Sequence, residues 1–128
     1  MTVPRADDFR REQAHYSWLY YGASLLAFVD LFTSRGFTFV GTNRAGNNAF
    51  FVASEHADRI PLPRIDLSDL STYVEWTVRE SHDSTGRLTR LPVSQSRALI
   101  DALPLVDVRS GRTVTVGEAV SQTADAAR

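Results

Sequence analysis

The chain has 128 residues, a mass of 14.2 kDa and no cysteine, which allows one domain with a real core and excludes disulfides, thiolate nucleophiles and cysteine-held zinc or iron–sulfur centres. Its 43% hydrophobic and 23% charged residues are ordinary for a globular protein, so wholesale disorder and fibrous repeats are disfavoured. Fourteen basic residues, every one an arginine, against 15 acidic ones leave a net charge of −1, which disfavours nucleic acid as a partner and excludes Schiff-base and P-loop lysine chemistry.

Met1 to Gln13 carries Arg5, Asp7, Asp8, Arg10, Arg11 and Glu12 and lacks the apolar stretch of a secretory signal. The longest apolar run, Leu25 to Val29, is far too short to span a membrane, so a soluble, cytoplasmic chain without a membrane partner is expected. Tyr20 to Arg35 reads as an amphipathic helix, with Tyr21, Leu25, Phe28, Val29 and Phe32 recurring at helical spacing and Gly36 placed to cap it. Phe37 to Thr42 and Asn48 to Ala53 read as strands joined through the Asn43 to Asn47 turn. Both strands carry apolar residues on both faces, which predicts burial from two sides. Ile60 to Pro63 reads as a connector. Tyr73 to Arg79 alternates as a third strand, Asp83 to Gly86 is turn chemistry, and Arg87 to Leu91 returns as its partner. Ser94 to Leu103 reads as a short helix, Leu105 to Val108 and Thr113 to Val116 as a hairpin, and residues 118–128 as a frayed tail. The fold class expected is α+β.

No motif in this pattern is specific for chemistry. His15, His56 and His82 fall on three segments without metal-ligand spacing, so no metal is expected. Glu80, Ser81, His82 and Asp83 form the densest cluster of acid, hydroxyl and imidazole. A small acid-base enzyme using Glu80, His82 and Asp83 would need them to converge on a pocket, whereas a turn would leave them exposed and apart. Gly36, Gly41 and Gly46 lack dinucleotide-loop spacing and suit a cap, a bulge and a turn. Asn43, Asn47 and Asn48 fit turn roles, and Tyr16, Trp18, Tyr20 and Tyr21 fit packing at the start of a helix.

Three stretches carry a resemblance: Tyr20-Tyr21-Gly22-Ala23-Ser24-Leu25-Leu26, Arg35-Gly36-Phe37-Thr38-Phe39-Val40-Gly41-Thr42-Asn43, and Gly46-Asn47-Asn48-Ala49-Phe50-Phe51-Val52. They resemble the C-terminal end of FkbM-like, class I S-adenosylmethionine-dependent methyltransferase-type proteins. In that family the sheet ends in a helix, a strand and a hairpin into a final antiparallel strand. Met1 to Pro4, Arg79 to Ser81, Gly86 to Thr89 and Leu103 to Val106 are similar to such tails as well, which extends the likeness over residues 1–117 as a single domain. The family's Gly-rich cofactor loop and the acid that ends its second strand have no counterpart. The resemblance therefore implies a terminal portion without its own S-adenosylmethionine site, inactive alone, with the cofactor entering only if a partner supplies the binding half. No catalytic residue is assigned.

Two architectures of association follow. The apolar hairpin can meet a protein that supplies the missing sheet, or it can meet a second copy, as in a standalone homodimeric interaction module.

Overall fold

The computed structural model describes residues 1–44, 46, 48–61, 65–68 and 78–126. It is α+β, with five helices and six strands among the described residues. Among the described residues the six strands pair as antiparallel hairpins, giving three two-stranded sheets. The chain divides into two compact units: residues 24–76, and residues 1–23 together with 77–128. Among the described residues no helix is long and apolar enough to cross a membrane.

The unit formed by residues 24–76 is built from local sequence. Helix α2 (Leu25–Thr33) follows the four-residue α1 (Arg11–Ala14) in the chain and is shorter than the Tyr20 to Arg35 expected. The reason is chemical: Gly22 takes a left-handed φ of 81°, and extended Ser24 caps the helix by accepting a hydrogen bond from the Ala27 N–H at 3.3 Å. Gly36, with φ also 81°, turns the chain after the last helical residues. Strand β1 (Phe37–Thr42) then pairs with β2 (Ala49–Ala53), and the register shifts between Phe39 and Gly41, a bulge that Gly41 accommodates at φ 125°. An aromatic layer joins helix to hairpin. Phe32 stacks on Phe51 at 4.4 Å and meets Phe37 edge-on at 5.7 Å, while Phe39 lies 5.4 Å from Phe51. Ala27, Val29 and Phe39 are its buried apolar residues. A four-residue helix absent from the expected pattern, α3 (Ser54–Ala57), closes the described hairpin.

The other unit is assembled from both ends of the chain. Thr2 exchanges backbone hydrogen bonds with Val106 at 2.9 and 2.8 Å, adding a rung beside β5 (Pro104–Val106), which pairs with β6 (Thr113–Thr115). Strand β3 (Val78–His82) pairs with β4 (Leu88–Pro92) in the register Ser81 to Thr89 and His82 to Leu88. The strand expected at Tyr73 to Arg79 lies outside the described residues from 73 to 77, and the described strand extends through Glu80, Ser81 and His82 instead of turning there. Helix α4 (Val93–Ala98) ends before the Leu103 expected. Residues of the expected frayed tail are helical in α5 (Val116–Ala126), because Thr115 and Glu118 cap each other: the Glu118 N–H donates to Thr115 Oγ1 at 3.2 Å and the Thr115 N–H donates to Glu118 Oε2 at 2.8 Å.

Candidate functional site

In the unit containing both termini, the chemically capable side chains gather around Ser17. After α1 the chain turns sharply, with the Trp18 N–H donating to the His15 carbonyl at 3.0 Å and Trp18 held at φ 59°, a left-handed conformation rare for a bulky side chain. The Ser17 N–H donates to His15 Nδ1 at 3.3 Å, which leaves that nitrogen unprotonated, so the Ser17 hydroxyl donates to it at 2.7 Å. The same hydroxyl oxygen accepts from the Leu19 N–H at 3.3 Å. Burial holds the His15 pKa below its ordinary value of 6.5. A hydroxyl on an imidazole has the form of an activated nucleophile. Ser17, however, is 0% exposed and its hydroxyl is engaged as both donor and acceptor, so it braces a turn and no substrate can reach it.

Strand β3 docks on this turn. The His82 N–H donates to the Ser17 carbonyl at 3.1 Å, and the His82 ring lies over Trp18 with centroids 3.9 Å apart. Arg11 caps the other aromatics, its guanidinium 5.5 Å from the Trp18 ring and 5.2 Å from the Tyr21 ring. Among the described residues, His82 Nδ1 is buried without a hydrogen-bond partner.

The expected cluster at residues 80–83 is pulled apart. Ser81 is fully buried, contrary to the exposed turn expected, because its hydroxyl meets Thr89 Oγ1 at 2.8 Å across the hairpin. His82 turns to Trp18, and Glu80 stands exposed beside the Arg90 register position. Asp83 is tied into the turn as an acceptor for the Thr85 hydroxyl at 2.6 Å, the Thr85 N–H at 2.9 Å and the Arg87 N–H at 3.0 Å. The Thr85 hydroxyl first, then the Arg87 N–H, lower its pKa. Glu80, His82 and Asp83 thus share no acid-base constellation. Asn43 serves its turn, accepting from the Asn48 N–H at 3.2 Å, while Asn47 lies outside the described residues. His56 sits beside Glu55 at 3.5 Å on the surface, and among the described residues no three ligating side chains come together. Sequence reasoning missed Ser17, whose carbonyl meets the His82 N–H of β3, 65 residues further along the chain (82 − 17).

The other candidate surface is apolar and belongs to the helix–hairpin unit. Helix α2 is apolar around nearly its whole circumference, yet Leu26, Phe28 and Leu31 are each about 40% exposed. Phe28 therefore departs from the expected core face, and so does Tyr21 in the other unit. On β2, Phe50 is 51% exposed on the face opposite Phe51, so the two-sided burial expected for the hairpin is not reached within the described residues. Comparison with protein-family models, curated proteins and solved structures finds no match to this chain.

Proposed function

We propose that the chain works by association and not by catalysis of its own, as a terminal methyltransferase-like portion whose helix–hairpin unit is covered by a partner chain. The observation that carries this is α2: a helix apolar around nearly its whole circumference normally lies in an interior, and here its large side chains Leu26, Phe28 and Leu31 are exposed, as is Phe50 on the hairpin face away from the helix. The order of α2, β1 and β2 supports the methyltransferase-terminus form of this reading, as do the three stretches quoted above.

Light scattering across a range of concentrations tests the association, with Phe28→Asp and Leu31→Asp expected to reduce the assembled mass without unfolding the chain. Calorimetric titration with S-adenosylmethionine and its demethylated product tests the other half. No heat is expected, and micromolar binding to the purified chain overturns it.

A further inference from the structure

Resting on that association reading, we propose that the partner is a second copy of this chain and that the two copies pair antiparallel along the outer edges of their β2 strands. Two hydrogen bonds fix which backbone groups of β2 are available. The Asn43 N–H donates to the Asn48 carbonyl at 3.1 Å, and the Ser54 N–H donates to the Gly36 carbonyl at 2.8 Å. They bracket the strand, so residues 48, 50, 52 and 54 bond toward β1, while Ala49, Phe51 and Ala53 aim their N–H and C=O groups at the other edge. That edge carries no strand, since β2 pairs with β1 alone among the described residues.

The sequence Ala49-Phe50-Phe51-Val52-Ala53 is complementary to itself in this geometry. A two-fold axis through Phe51 sets Phe51 opposite Phe51 of the second copy and Ala49 opposite Ala53, so all the outward groups are used, in about six hydrogen bonds. The same register places Phe50 against Val52 of the second copy at a close, non-hydrogen-bonded position, twice. An aromatic side chain against a β-branched one is a favourable cross-strand pair, and it covers the most exposed aromatic among the unit's described residues.

Charge agrees with this register. β2 itself is uncharged, Arg44 lies beyond its start, and Glu55, Asp58 and Arg59 lie beyond its end with a net charge of −1, so antiparallel pairing brings the Arg44 end of each copy to the net acidic end of the other. β2 has no lysine, no proline and no charged residue, and the bulge is on β1, so its outer edge lacks these protections. Five paired residues fall short of the roughly 1,200 Å² of a standard interface, so the dimer is reversible and concentration-dependent.

Sedimentation equilibrium of the intact chain, of Ala49→Pro, and cysteine cross-linking test the proposal together. Proline at 49 removes an outward N–H and leaves every bond to β1, so the circular dichroism should be unchanged and dimerisation weakened about tenfold or more. The chain has no cysteine, so a mixture of Phe50→Cys and Val52→Cys chains should oxidise to a disulfide-linked dimer. If Ala49→Pro loses its fold, the cross-link alone decides. A wild-type dimer indifferent to Ala49→Pro, or one that forms no 50-to-52 cross-link, overturns the β2 interface while leaving the association reading in place. A chain that stays monomeric at every concentration overturns both.

Discussion

The two units of this chain each bury three described apolar residues and differ in what is packed beside them. Residues 24–76 hold together through a stack of phenylalanines from neighbouring segments and leave large apolar side chains in water. The unit of both termini buries Leu19, Tyr20 and Val116 together with Ser17 and Ser81, pairs those two hydroxyls with histidine and threonine, and fixes its turns with Asp83 and Asp107. A buried hydroxyl is satisfied only when its partner meets it, so the Ser17 and Ser81 contacts fix the local geometry of that unit. An aromatic layer has no such directional limit, and Leu26, Phe28, Leu31 and Phe50 of the helix–hairpin unit stay exposed around it.

The contrast can be broken first at Phe39, which is 4% exposed in the aromatic layer. Phe39→Ala should cost about 3 to 5 kcal/mol in denaturant unfolding. In the other unit, Trp18→Ala removes the His82 stack and the Arg11 contact, for an expected loss of about 1 to 3 kcal/mol. Trp18→Gly should be milder than Trp18→Ala by roughly 1 kcal/mol, because glycine tolerates the left-handed φ that every other residue resists. Ser17→Ala strips two buried hydrogen bonds at once, and thermal unfolding should register about 1 to 3 kcal/mol. Phe50→Ser should change monomer stability by no more than about 0.5 kcal/mol, while weakening self-association.

The smallest effect separates the units by pH. Because burial lowers the folded pKa of His15, the unfolded chain takes up its proton first as pH falls. Its contribution to stability is complete above the ordinary value of 6.5 and declines as pH drops through that value toward the lower folded one. Melting temperature followed from neutral to mildly acidic pH should therefore fall, and His15→Gln should flatten that fall. A wild-type profile flat over this range would remove the Ser17–His15 contact from the stability of that unit.

Legibility in the sequence follows the same division. β1, the Asn43 turn, β2 and the Gly36 cap could be read because their determinants are local: β-branched and aromatic runs interrupted by Asn and Gly. Periodicity through Tyr21 extends the expected helix N-terminally past Gly22 and the Ser24 cap, which mark its start. In the other unit, the Asp83 and Arg109 to Arg112 turns were readable from their residues, and the α5 start was present in the sequence as Thr115-x-x-Glu118 although the residues beyond it were expected to fray. Ser17 and Ser81 carried no signal, since a serine's burial depends on whether His15, Leu19 or Thr89 arrives to meet its hydroxyl. Of the apolar surface, the two-faced strands were legible. The exposure of Phe28 was not, because periodicity ranks it with the core.

Amide hydrogen exchange along β2, measured at low and high protein concentration, tests most directly whether the helix–hairpin unit is completed by another copy. Phe50 and Val52 donate toward β1 and should be protected equally at both concentrations. Phe51, whose N–H faces the open edge, should exchange rapidly in dilute solution and slow as concentration rises. Exchange at Phe51 that does not change with concentration would contradict completion of the sheet by a second chain.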